Sequence, residues 1–387
     1  MQSIVLVGGG LAAANAAETL RDEGFTGSLT IVAGEPLLPY ERPPLSKGVL
    51  QGTEEFAVWR DAPWYDERGI RVVTGTSATG IDLAARSVAL ASGDRLPYDA
   101  LLLDTGATPR RPDVPGADRA LVLRTRADQQ RLGSALGDGV RMVIVGGGWI
   151  GLEAAASARQ AGAEVTVLVR DDAPLAAVLG PELARHLMAL HRGHGVDIRT
   201  GVTVRAITEY GVRTDDGELP ADVVLAAIGV RPEVELARRA GLAVTDGIVA
   251  DTGLRTSDPH VWAAGDVALA EHTTLGPVRI EHWDNAIRQG KLAARRMLGQ
   301  EGTFDWQPYF FTDQFEFSME YVGHAAPSDR VEIRGDLAGN EFIAYWLGDD
   351  GRTVTGAMNV GIWDVNDTLR DPIGTRVNPA ELTALRG

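Results

Sequence analysis

Cysteine is absent from this 387-residue chain. Its absence excludes disulfides, thiolate metal sites, a cysteine-held iron–sulfur cluster and an internal redox-active dithiol. Lysine is nearly absent too: of 37 basic residues, only Lys47 and Lys291 are lysines. No apolar run approaches the ~20 residues of a membrane span, so no membrane association is expected. The Ala-rich opening, Met1 to Leu20, lacks a positively charged start and is interrupted by Gly8-Gly9-Gly10. It therefore reads as structure rather than a secretion signal, and a cytoplasmic protein is expected. Basic excess is also missing: the net charge of −16 argues against nucleic acid as a partner.

What is present is an ordinary globular balance, 44% hydrophobic and 23% charged, in a chain long enough for two or three domains. Apolar Ile4–Val7 reads as a strand, followed by a glycine turn, a helix from about Ala12 to Arg21 and a second strand, Leu29–Val32. The order recurs: strand Met142–Val145, turn Gly146-Gly147-Gly148, helix Leu152–Gln160, strand Val165–Val169. Such alternation predicts an α/β protein whose parallel sheets are covered on both faces. The two units start 138 residues apart, at Gly8 and Gly146, which is too far for a solenoid and suits two Rossmann-like domains of one ancestry. After Gly302 the texture changes. Aromatics cluster in 304–311, and the alternating segments Glu341–Trp346 and Val354–Val360 predict antiparallel strands of a C-terminal α+β domain. That stretch carries 14 acidic and 6 basic residues, which a solvated acidic face would account for.

The first glycine cluster is Gly8-x-Gly10-x-x-Ala13, after a strand and opening a helix. Glycine permits the tight turn and a close backbone approach to a pyrophosphate, and the helix N-terminus supplies N–H donors. Glu35, just past the second strand, is placed for ribose hydroxyls, with Gly34 beside it leaving the register open by a residue. The second cluster, Gly146-x-Gly148-x-x-Gly151, repeats the arrangement. Two cradles imply two dinucleotides, and a flavin with a nicotinamide cofactor is the natural pair, because hydride passes readily between them.

The segment Leu37-Leu38-Pro39-Tyr40-Glu41-Arg42-Pro43-Pro44-Leu45-Ser46-Lys47 resembles the signature of the FAD-dependent ferredoxin reductases that serve bacterial oxygenases and cytochromes P450. Thr105-Gly106-Ala107 resembles that family's crossover between domains, Gly265-Asp266 its second flavin motif, and Trp306–Gln314 the start of its C-terminal domain. The resemblance, related to glutathione-reductase-like folds, implies an FAD domain from residues 1–106 and 231–302, an NAD(P) domain from 107–230 and a C-terminal domain from 303–387. It implies that Asp266 holds the ribityl hydroxyls of FAD and that Thr105, Gly106, Arg42, Ala78, Arg124 and Trp283 contact FAD. It places Lys47 beside the flavin ring, where a cation stabilises the reduced state. Glu153 is implied to pair with Lys47 and position the nicotinamide, and Ile150 and Gly229 to join the NAD(P) contacts. A catalytic role for His282, beside Trp283, is not required by hydride transfer.

One departure stands out. An acid usually ends the second strand of an NAD site to take the ribose 2′-OH. Here that position is Val169, followed by Arg170. A missing carboxylate and a nearby guanidinium favour a 2′-phosphate, so NADPH is expected to be accepted, with Asp171 and Asp172 close enough to keep NADH in use. Two electrons stored on FAD must leave, and with no dithiol an external acceptor is needed; the resemblance implies a [2Fe–2S] ferredoxin. A reductase of a quinone, a radical or dioxygen shares every motif, and a redox-controlled binding flavoprotein is a further alternative. Arg42, Lys47, Arg60, Arg110 and Arg111 are candidates for a basic docking patch. A monomer and a homodimer are both compatible with the sequence, and the role of the residues from Trp363 on is open.

Overall fold

A computed structural model describes residues 1–384. The chain divides into two compact units. The first comprises Met1–Glu41, Ala57–Thr108 and Arg231–Trp306. Its centre is a parallel sheet in the order Val261–Ala263, Ala100–Leu103, Ser3–Val7, Ser28–Val32, Ile70–Val73. These strands are near-continuous apolar runs because both faces are covered, one by helices and the other by Val88 and Leu90 of a small antiparallel meander with Leu236 beside them, and the inner residues Leu6, Ile31, Leu101 and Leu102 are fully buried. The helix Leu11–Asp22 is rich in alanine, which favours helix and keeps the helix close to the sheet. Against it lies the helix Trp283–Met297, and a Cβ on Gly290 would collide with the Ala12 carbonyl. Strands Ala78–Asp82, Ser87–Leu90 and Arg95–Pro97 form a small antiparallel meander between the third and fourth strands of the sheet.

The second unit comprises Arg42–Phe56, Pro109–Val230 and the chain from Gln307 on. Its parallel sheet runs Asp197–Arg199, Glu164–Leu168, Arg141–Val145, Val223–Ala226, with the helix Trp149–Gln160 after the first strand. The same insertion recurs: a three-stranded meander, Val204–Ile207, Gly211–Thr214 and Gly217–Pro220. Even a clamp is repeated. Asp99 accepts the N–H of Ser3 at 3.0 Å, and Asp222 accepts that of Arg141 at 2.9 Å, each tying a fourth strand to the start of the first.

The C-terminal part of this unit is an antiparallel sheet ordered Tyr309–Gln314, Phe317–Gly323, Val354–Val360, Glu341–Leu347, Arg330–Asp336. One face, with Phe317, Phe342 and Trp346, shares a core with Leu183 and Leu187 of the helix Ala176–Gly193. The other face is covered by the chain end: Ile362, Val365 and Leu369 are buried on it, and Tyr345 Oη donates to the Thr383 carbonyl at 3.1 Å. The segment from Trp363 to Thr383 thus closes a sheet face that water would otherwise reach.

Candidate functional site: two glycine cradles and a buried ion pair

In the first unit, strand Ser3–Val7 turns at Gly8 (φ +143°), where a Cβ would collide with the Asp104 carbonyl. Gly10 is the N-cap of the helix Leu11–Asp22 and, having no side chain, supplies no acceptor to the first-turn N–H groups. Ala13 is fully buried and packs the helix on the strand. The buried carboxylate of Asp104 accepts the Ala13 N–H at 3.0 Å, and a Cβ on Gly10 would lie 2.9 Å from its Oδ2. Asp104 was not legible as part of the cradle; the signal is an acid ending the apolar strand Ala100–Leu103.

The other residues of this unit fall as follows. Glu35, half-buried beyond Val32, accepts the Tyr40 hydroxyl at 2.6 Å. Ala78 opens the first strand of the meander. Thr105 Oγ1 donates to the Glu233 carbonyl at 2.6 Å, and Gly106 takes a positive φ of +69°. Gly265 (φ +74°) donates its N–H to buried Gln289 at 2.8 Å, and Asp266 follows in the same 3-10 turn. Trp283 starts its helix and donates Nε1–H to Glu41 at 2.9 Å. His282 caps that helix, its Nδ1 accepting the Asp284 N–H at 3.3 Å, a structural use of the ring.

In the second unit each glycine of the turn has a different reason. Gly146 has φ +114°. A Cβ on Gly147 would lie 2.7 Å from Val169 Cγ2, and one on Gly151 would collide with the Gly146 carbonyl. Gly148 has an ordinary φ of −80°, and its Cβ would meet nothing nearer than the Ala227 carbonyl at 4.0 Å. Neither backbone strain nor packing requires glycine there, so the bare Cα faces space for a ligand. Ile150 is 46% exposed in the first helical turn. Gly229 takes φ +91°. Val169 is buried just past the strand Glu164–Leu168, whereas the Arg170 side chain is 86% exposed, its Nε 3.9 Å from Asp171.

The same unit holds the ion pair. Lys47 Nζ is 2.9 Å from Glu153 Oε1, with side chains only 15% and 3% exposed. Glu153 stands on the buried face of the helix Trp149–Gln160 and Lys47 follows the 3-10 turn Pro43–Ser46. Ser46 Oγ donates to Glu153 Oε2 at 2.5 Å and Thr312 Oγ1 to Oε1 at 2.6 Å. A buried carboxylate with three donors is an anion fixed in place. Lys291, by contrast, is exposed on its helix. Arg42 donates to the Arg124 carbonyl at 2.6 Å. Sequence reading missed Ser46 and Thr312; the signal for Thr312 is a polar residue at an inward position of a strand.

The five candidates for a basic patch are all engaged internally. Arg42 and Lys47 have the partners just given, Arg60 pairs with Glu18 at 2.9 Å, Arg110 donates to the Val230 carbonyl at 2.8 Å, and Arg111 donates to the Ala117 and Ala120 carbonyls. Among the described residues no group of acids and histidines is arranged to hold a metal, and no helix is long and apolar enough to cross a membrane.

Comparison with known proteins agrees with this geometry. The family model described as pyridine nucleotide-disulphide oxidoreductase matches residues 2–290. The ferredoxin–NAD(+) reductase component of the anthranilate 1,2-dioxygenase system of Burkholderia cepacia is 38% identical over 369 residues, 92% of this chain and 91% of that protein. Rhodocoxin reductase of Rhodococcus erythropolis is 37% identical, over 89% and 83%. The solved structure of the covalent putidaredoxin reductase–putidaredoxin complex superposes with a TM-score of 0.91 at 35% identity, covering 96% of this chain and 94% of that one. With its cysteine-free sequence and two dinucleotide cradles, the chain belongs to the FAD-dependent NAD(P)H:ferredoxin reductases that serve oxygenase and cytochrome P450 systems.

Proposed function

We propose that this chain takes hydride equivalents from NAD(P)H and passes electrons singly to a small [2Fe–2S] ferredoxin. Bound FAD supplies the hydride acceptor and one-electron donor that the side chains lack. Residues 1–106 and 231–302 hold FAD in this reading, residues 107–230 hold the nicotinamide nucleotide, and 303–387 form the third part. Gly8, Gly10 and Ala13 offer the first helix end to a pyrophosphate, Glu35 takes ribose hydroxyls and Asp266 ribityl hydroxyls. Thr105, Gly106, Ala78, Trp283, Arg42 and Arg124 complete the FAD contacts by resemblance. Gly146, Gly148 and Gly151 offer the second helix end, with Ile150 and Gly229 beside the nucleotide. Lys47 supplies positive charge to the reduced flavin, and Glu153 fixes that ammonium.

The observation that carries the reading is Gly148, a glycine with no internal reason to be one, in the second of two like cradles. The lack of an acid at Val169, with Arg170 extended into solvent, supports NADPH as the better donor. Anaerobic titration of the purified protein with NADPH and then NADH is expected to bleach flavin absorbance, and cytochrome c reduction is expected to become fast only when a ferredoxin is added. A colourless protein, or cytochrome c reduction equally fast without ferredoxin, overturns the proposal. A kcat/KM for NADH more than tenfold above that for NADPH overturns the preference alone.

A further inference from the structure

Behind Glu153 runs a line of buried polar groups that hydride transfer does not itself require. Thr312 Oγ1 is 2.6 Å from Glu153 Oε1, Gln314 Nε2 is 3.1 Å from Thr312 Oγ1, and His191 Nε2 is 2.8 Å from Gln314 Oε1. All four residues are buried, His191 and Thr312 completely. They come from three elements: the helix Trp149–Gln160, the strand Tyr309–Gln314 and the helix Ala176–Gly193.

The proton inventory gives this line one direction. Glu153, facing the Lys47 ammonium at 2.9 Å, is a carboxylate and only accepts. Thr312 has one proton and donates it to Glu153, so its oxygen must accept from the Gln314 amide N–H. The Gln314 carbonyl then accepts, and His191 must donate from Nε2. That leaves His191 neutral with Nδ1 bare, and Nδ1 indeed has no hydrogen-bond partner in its buried position. A proton on Nδ1, whether in the opposite tautomer or in the imidazolium, would bury a donor with no acceptor, with the Phe315 ring 5.2 Å away. Every bond in the line therefore points its positive end at Glu153, and successive bonds polarise one another.

We propose that His191, Gln314 and Thr312 are positioning residues that act in series to keep Glu153 an oriented anion, and so keep the Lys47 ammonium fixed, throughout turnover. The proposal rests on the role given above to the Lys47–Glu153 pair. The charged groups facing this line are Lys47 at Glu153 and, at the His191 end, His194 and Glu316, themselves joined at 2.6 Å. Neither His194 nor Glu316 touches the carboxylate, so a change at Glu153 is attributable to the line.

Two measurements test it. In 15N-histidine NMR of the holoprotein, one of the seven imidazoles, assigned through His191→Gln, is expected to be Nε2-protonated and to stay neutral down to pH 5. An Nδ1–H tautomer, or titration near pH 6.5, overturns the proposal. In stopped-flow reduction by NADPH, wild type is expected to vary less than twofold between pH 5.5 and 8. Thr312→Val, close in shape but without the donor, is expected to lose about tenfold at pH 5.5 relative to pH 8, as expected for a hydrogen bond to a charge. Thr312→Ser should restore the flat profile, while a Thr312→Val profile as flat as wild type sinks the proposal. Lys47→Met separates the two ideas. If it leaves reduction unchanged, the pair's role fails; if it slows reduction while Thr312→Val does not bend the profile, only the line fails.

Discussion

A methyl group added at Gly148 and one added at Gly151 meet different surroundings. At Gly148 the nearest protein atom is 4.0 Å away, so Gly148→Ala should cost no more than about 1 kcal/mol of stability, the scale of an N-cap change. It should raise the KM for NAD(P)H at least tenfold, because the methyl fills the space a pyrophosphate needs. Gly151→Ala collides with the Gly146 carbonyl and should lower the melting temperature as well. Melting curves and steady-state kinetics on both variants separate a ligand-facing glycine from a packing one. Arg170 gives a second test at this scale. Its side chain is exposed and only loosely paired, so Arg170→Ala should leave stability within about 0.5 kcal/mol and lower kcat/KM for NADPH but not for NADH. The glycines were readable because a cradle is local in sequence. Lys47 and Glu153 were placed together through resemblance, because 106 residues separate them in the chain. Thr312, Gln314 and His191 were not found, since each taken alone is an unremarked polar residue and only the fold brings them into line.

The helix Ala176–Gly193 carries two predictions as an element. Its first turn ends at Gly180, whose φ +76° and ψ 166° only glycine adopts readily, ahead of Pro181. A Cβ there would also lie 2.9 Å from Val331 Cγ2, so Gly180→Ala should destabilise by about 1–3 kcal/mol, measured by thermal or denaturant unfolding. Near its other end, burial pushes the His191 imidazole down to about 4 from an ordinary 6.5. The unfolded chain therefore binds more protons than the folded one between these values, and stability rises with pH across that window. It is complete above about pH 6.5 and is lost as pH falls towards 4. The span corresponds to roughly 3 kcal/mol, and His191→Leu should flatten that part of a stability–pH curve. The parallel strands and their helices were legible because burial on both faces writes them as apolar runs. The two meanders were not, because their strands are only three to five residues long, too short to write a clear period into the sequence. The Ala176–Gly193 helix was obscured by its internal Gly180-Pro181, a pair that ordinarily ends a helix.

Across the whole molecule, charge sets the terms of encounter with a partner. The chain carries a net −16, and the basic residues considered for docking are engaged internally. With an acidic ferredoxin, the second-order rate of electron transfer should therefore rise as salt is increased from about 20 to 150 mM, since screening weakens long-range repulsion. A rate that falls with salt would reveal a local basic surface that outweighs the net charge.

The first unit is threaded from three stretches of chain, and its edge strand Val261–Ala263 is encoded after the entire second parallel sheet. During synthesis, the amino-terminal strands must wait beside the ribosome while residues 109–230 are made. Nascent chains arrested near residue 230 should leave the first 108 residues open to protease, and protection should arrive only once Trp306 has cleared the exit tunnel. The earliest-translated glycine cradle is thus completed late, and in the proposed reading the flavin is captured securely only towards the close of translation.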